Sequence, residues 1–245
     1  MGIRCLRASM KSKAIAALFI LVLGLMLLPF GREAASEKSS DRMDYPLAPG
    51  TRWIFHFHEE LGQGVHFNGL LVKFAKGEVL DATVVSEVTG TDTFNREEYV
   101  RVDYRVGGEL WLQEWYRFGK DGLFHGKSLD HDSGAETLMV PQQKLLSPKL
   151  MTGESWTWKA SNAPVRMQVK VVGPATITVP AGTFQTTEIS YDTTVQVEGN
   201  TVNVRQNRWF AAGVGYVKQE TMTLMGKRMI NNVILTLERF EKVGK

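Results

Sequence analysis

"RWFAAGVGYVKQE" spans residues 208–220, and two readings of its Ala211-Ala212-Gly213-Val214-Gly215 centre lead to different folds. A glycine pair followed by Lys218 is raw material for a phosphate-binding loop, whose backbone N–H groups cradle an anion at the start of a helix. Here the glycines run instead into Tyr216-Val217-Lys218-Gln219-Glu220-Thr221, which alternates like a strand and carries no Gly-Lys-Ser/Thr element. The stretch therefore reads as strand, turn, strand. Ala211-Ala212-Gly213 closes the hairpin, with Gly213 where positive φ is needed.

The same turn chemistry recurs along the chain. Lys120-Asp121-Gly122 and Pro180-Ala181-Gly182 have the same shape, so Gly122, Gly182 and Gly213 are assigned as turn-closing glycines. Gly107-Gly108 and Gly199-Asn200 each separate two strand-like runs by two residues, the spacing of a tight hairpin. Between turns the period is two. Trp53, Phe55 and Phe57 share one face of the first run, while Ile54, His56 and His58 share the other. Near the C-terminus Val233, Leu235 and Leu237 alternate with Ile234, Thr236 and Glu238. Gln142 to Ser147 offers at most one helical turn, so the chain reads as all-β and antiparallel.

These features return in order. Gly50-Thr51-Arg52-Trp53 parallels Gly153-Glu154-Ser155-Trp156, and Thr93-Phe94 parallels Thr183-Phe184. Gly107-Gly108 parallels Gly199-Asn200, and Tyr116 with Gly122 parallels Phe210 with Gly213 or Gly215. Two similar β-meanders are expected, over 46–128 and 150–245, joined by a linker at 129–149. Together they make one structural domain, either a curved sheet or half-barrel, or a two-lobed sandwich.

The N-terminus carries a different signal. Arg4, Arg7, Lys11 and Lys13 precede an apolar run from Ala14 to Leu28, ended by Pro29 and followed by Ala34-Ala35-Ser36. That order is a secretory signal helix over 1–36, or an uncleaved anchor, with a polar tether at 37–45. The single cysteine, Cys5, precedes the apolar run, where a lipoprotein cysteine would follow it. The signal segment holds five of the 29 basic and one of the 26 acidic residues. Its loss leaves 24 against 25, a net charge of −1 in place of +3. A nucleic-acid partner is thereby disfavoured. The expected location is periplasmic or extracellular, with membrane contact only through the N-terminal segment.

Four stretches together, "YPLAPGTRW" (45–53), "GESWTW" (153–158), "VPAGTFQT" (179–186) and "RWFAAGVGYVKQE" (208–220), carry a family likeness. The chain resembles the TapB-like group of exported bacterial proteins, a domain of unknown function. The resemblance implies export and a β-rich fold, and brings no catalytic residues to carry over. Open half-barrels of the lipoprotein-carrier type are a more distant likeness, at the level of fold alone.

Candidate chemistry is sparse. His56 and His58 share a strand face, and a hairpin centred on Gly62 would set His66 opposite His58, beside Glu60. His56, His58 and His66 would then hold a zinc-like divalent ion; a register slip of one leaves a solvent-facing strip. Trp111 and Trp115 on one strand, and Trp156 and Trp158 on another, pair up on a face, either lining a site for an apolar ligand such as a lipid or filling a core. Ser128, Ser133, His125, Asp130, His131 and Asp132 lie near one another in sequence without a nucleophile elbow. Glu97, Glu98, Glu109 and Glu114 read as solvated strand faces. The expected role is non-enzymatic: an exported, envelope-associated protein binding an apolar ligand, without a cofactor. The alternatives are a metal-binding protein or metal-dependent enzyme using the histidines, and a structural interaction module.

Overall fold

A computed structural model describes residues 46–242, so the signal-like segment and the tether lie outside the described residues. Alternation builds each strand. In β1 (Arg52–Leu61), Trp53, Phe55, Phe57, Glu59 and Leu61 are buried, while His56, His58 and Glu60 turn toward solvent. A 3-10 turn at Gly69–Lys73 leads to β2 (Ala75–Lys76), a short spur on β3 (Val79–Phe94). Then come β4 (Glu97–Val106), β5 (Glu109–Gly119), β6 (Gly122–Asp130) and β7 (Glu136–Leu146). The second run is β8 (Ser155–Lys159), β9 (Val165–Val179), β10 (Gly182–Val197), β11 (Asn200–Ala211), β12 (Gly215–Met225) and β13 (Arg228–Glu241).

All pairings are antiparallel, in the order β7-β6-β5-β4-β3-β1-β13-β12-β11-β10-β9-β8. The sheet curls until its two ends meet, so the fold is a nearly closed barrel and not a two-lobed sandwich. One core runs through both halves. Phe55 of β1 stacks on Tyr216 of β12 with ring centroids 5.0 Å apart, and Val84, Tyr104, Val169, Val204 and Leu235 belong to the same buried cluster. Each fully buried Val, Leu or Phe contributes about 1.5–3 kcal/mol toward offsetting chain entropy. On β9, Arg166, Gln168 and Lys170 are exposed between buried Val165, Met167 and Val169.

The two six-strand runs, β1 with β3–β7 and β8–β13, correspond at their turns. The third and fourth strands are joined by Gly107-Gly108 (φ 59° and 85°) in the first run and by Glu198-Gly199 (φ 48° and 79°) in the second. The second turn thus sits one residue before the expected Gly199-Asn200. Gly122 and Gly182, with φ of 131° and 134°, open the strands after their turns. Gly215, at φ 117°, does the same for β12, while Gly213, at φ 68°, lies within a three-residue loop. Positive φ is therefore required at both glycines of "GVG". Thr93-Phe94 ends β3, whereas Thr183-Phe184 begins β10, so these two pairs stand on opposite sides of their turns.

One boundary is corrected. The stretch 129–149 is not a linker, since it contains β7, and Gln142–Leu146 is strand and not helix. Pro141 and two successive glutamines mask the alternation there. With β7 included, the first run ends at Leu146 and places β7 beside β8.

Candidate functional site

The two ends of the barrel meet without a regular ladder. β8 is only five residues long, and its Trp156 and Trp158 share a face, as their spacing predicts. Both indoles reach across to β7. Trp156 Nε1 donates to the Lys144 carbonyl at 3.0 Å and Trp158 Nε1 to the Pro141 carbonyl at 2.8 Å. Beyond β8, Ser161 N donates to the Val140 carbonyl at 2.7 Å, and Asn162 Nδ2 to the Leu138 carbonyl at 3.1 Å. Side chains thus satisfy carbonyls that a neighbouring strand would otherwise take. A groove of ≈ 160 Å³ opens along this seam. Leu138, Met139, Trp158, Ala160, Ala163 and Val165 supply its apolar wall, with Glu136, Thr137 and Asn162 alongside.

Behind the seam the barrel interior turns polar. Trp158 pairs with Met167 on β9, and the Met167 sulfur accepts from Gln143 Nε2 at 3.3 Å. Gln143 Oε1 lies 3.3 Å from His125 Nδ1, and His125 Nε2 lies 3.8 Å from Glu114 Oε1. The Tyr116 hydroxyl donates to the other Glu114 oxygen. From the far wall Arg208 enters, fully buried, its guanidinium 5.2 Å from the Tyr191 ring centroid and 5.5 Å from that of Tyr216. Arg208 Nε donates to Gln219 Oε1 at 2.9 Å, and Gln219 and Gln206 both donate to Thr221 Oγ1 at 3.2 Å.

Burial sets the ionisation of this cluster. It pushes the Glu114 carboxyl well above the usual carboxylate range, against the opposing pull of the Tyr116 and Tyr104 hydroxyls and of Arg208. Burial also pushes His125 down to about 4, with Gln143 and the Lys127 carbonyl opposing and Arg208 assisting. Near neutral pH the imidazole is therefore uncharged, and burial biases the Glu114 carboxyl toward its protonated form. In this part of the interior Arg208 Nη2, Glu114 Oε1, Gln206 Oε1 and Ser128 Oγ have no hydrogen-bond partner among the described residues. Buried water or a polar ligand would supply the partners these groups lack.

Several expected groupings dissolve. Trp111 is the extra residue of a bulge between β4 and β5, which turns it inward against Phe57 at 5.9 Å. Trp115 instead faces outward, donating to Asp92 Oδ2 at 2.7 Å under the Lys127 ammonium, so the two do not share a face. His66 does not oppose His58. No hairpin forms at Gly62, since β1 pairs with β3 and β13, and Asp81 stands opposite His58. His58 Nδ1 contacts Asp81 Oδ1 at 2.8 Å and His56 Nε2 reaches the same oxygen at 3.3 Å. Among the described residues no group of three or more His, Cys, Asp or Glu is placed to hold a metal ion.

The serine and histidine stretch is likewise dispersed. Asp130 Oδ1 accepts from Ser133 N at 2.6 Å, Asp132 accepts from Leu70 N at 2.8 Å, and His131 meets Gln113 at 2.9 Å, while His125 points inward. Glu114, expected on a solvated face, is fully buried. The missed cluster did leave a trace: Glu114 lies at the inward parity of Leu112 and Tyr116, and Arg208 at that of Val204 and Gln206. Charges at core-parity positions were the available sign.

The matching family model is described as DUF3108-like and covers residues 137–233, from β7 into β13. This match does not support the TapB-like resemblance. A search of curated proteins finds no match. Two solved structures are similar, each at 14% identity and over 82% of this chain. One, from Bacteroides fragilis NCTC 9343, is described as exported with a YmcC-like fold, is covered over 100% of its length and has a TM-score of 0.45. The other, from Parabacteroides distasonis ATCC 8503, is described as a lipoprotein, is covered over 99% and has a TM-score of 0.46.

Proposed function

We propose that the protein is a non-enzymatic, exported, envelope-associated binding protein that takes up an apolar or amphipathic ligand of the lipid type through the β7–β8 seam. The observation that carries this reading is the seam itself. Two sheet ends meet through tryptophan side chains and leave an apolar groove where a ladder would otherwise run. Only a few side-chain hydrogen bonds and the single backbone bond from Ser161 N to the Val140 carbonyl need to break for that groove to widen, whereas parting any other pair of neighbouring strands breaks a backbone ladder. The N-terminal order of basic, apolar and small residues supports export.

The test uses the chain lacking residues 1–36, stripped of lipid and titrated with a fluorescent fatty acid. Saturable uptake that falls at least tenfold in Ala160→Leu, which fills the groove from its wall, is the expected result. No uptake, together with a ligand-free native mass from the host envelope, would overturn the reading.

A further inference from the structure

We propose that Arg208 seats the anionic head group of that ligand, making a long-chain carboxylate the preferred class. The inference rests on the seam reading for the path of the chain. Arg208 has zero exposure, and the partners seen for its guanidinium are neutral: the Gln219 amide and the faces of Tyr191 and Tyr216. A buried cation needs a counter-charge to offset its desolvation. Burial pushes the carboxyl of Glu114, which feels the Arg208 charge, toward its neutral form. Arg208 Nη2 keeps an unspent donor in the same interior where Glu114 Oε1 and Gln206 Oε1 lack partners. A planar carboxylate matches the guanidinium fork and brings the missing negative charge.

Two sets of contacts link the surroundings of the seat to β7 and β8. Tyr191, whose ring lies beneath the guanidinium, donates its hydroxyl to the Leu145 carbonyl of β7 at 3.2 Å. On the other side Trp158, Met167 and Gln143 lead from the groove to His125. Under this proposal a ligand whose chain lies in the seam directs its head along these contacts toward Arg208. The apolar groove and the buried cation describe one amphipathic occupant between them.

The experiment titrates the wild-type chain lacking residues 1–36 with cis-parinaric acid, with the alcohol of the same chain, and with acetate and inorganic phosphate. The carboxylate is expected to bind at least tenfold tighter than the alcohol, and the small anions not to compete at millimolar concentration. Arg208→Gln should reduce the carboxylate to the affinity of the alcohol. Equal binding of acid and alcohol to the wild type, with Ala160→Leu still blocking both, overturns the head-group assignment and keeps the seam reading. Competition by acetate or phosphate alone marks a small-anion site and also overturns it. Absence of any binding overturns both readings. The wild-type comparison decides the matter even if Arg208→Gln does not fold.

Discussion

Glu59 is the place where the barrel's stability should depend most simply on pH. It lies at the inward parity of β1, fully buried, and Asn231 Nδ2 of β13 donates to its Oε1 at 2.7 Å. Glu59 Oε2 and Asn231 Oδ1 have no partner among the described residues. A proton on Glu59 would let those two atoms bond to each other, closing an acid–amide pair. Burial raises its pKa from 4.5 to about 7, opposed by the Asn231 bond. The folded chain thus holds this proton to about pH 7, while the unfolded chain releases it near 4.5. Stability is full below the unfolded value and falls as pH rises between the two. A gap of about 2.5 units at 1.36 kcal/mol each makes the loss roughly 3 kcal/mol by pH 8. Glu59→Gln reproduces the protonated geometry, its amide donating to Asn231 Oδ1, and cannot ionise. The variant should match the wild type at pH 4 and exceed it by about 3 kcal/mol at pH 8, or roughly 6–12 °C in Tm for a chain of this size. Urea denaturation at the two pH values measures both. A difference between variant and wild type that does not change with pH would refute the buried-proton reasoning.

Other outcomes are expected at the seam, the turns and the histidines. Trp158→Phe keeps a ring but removes the N–H bonded to the Pro141 carbonyl, costing about 1 kcal/mol; hydrogen exchange should show the Ser161 amide, bonded to Val140, opening faster than the β1 ladder. Gly122→Ala places a Cβ 1.9 Å from the Leu146 carbonyl oxygen at φ +131°, so its Tm should fall, and Gly213→Val, at φ +68° in a buried turn, should lose at least about 1–2 kcal/mol to the left-handed backbone. The Asp81 carboxylate holds His58 above its ordinary pKa, so Asp81→Asn should lower the His58 midpoint in an NMR titration. In the same titration His125 should remain uncharged down to pH 5.

Alternation and turn glycines made the strand class legible because both are local. "RWFAAGVGYVKQE" shows its turn within seven residues, and Trp53, Phe55 and Phe57 show their common face without reference to a partner. Register is not local, and the errors gather there. Trp111 and Trp115 part company because a bulge adds one residue against Tyr104 and Arg105, which the strand's own sequence does not display. Placing His66 opposite His58 requires the first turn to make a hairpin. β1 instead pairs with β13, the most distant strand in sequence. The interior cluster failed for another reason. Glu114 and Arg208 are charged, and charged residues are seldom fully buried, so their inward parity was overruled by their type.

The pairing of β1 with β13 sets the order in which the barrel can assemble. Arg52 stands opposite Glu241, so the first and last strands complete each other, whereas β7 and β8 are joined by a short loop yet share only side-chain bridges. Folding of the native chain must therefore wait for its most distant contact, the kind that slows folding by raising loop-closure entropy. A circular permutant opened between Leu146 and Ser155, with a short linker from β13 to β1, reads β8–β13 and then β1–β7. Every main ladder then joins neighbours in sequence. Such a chain should refold faster than the parent at similar stability, zipping from hairpin to hairpin, with the tryptophan seam as its last step.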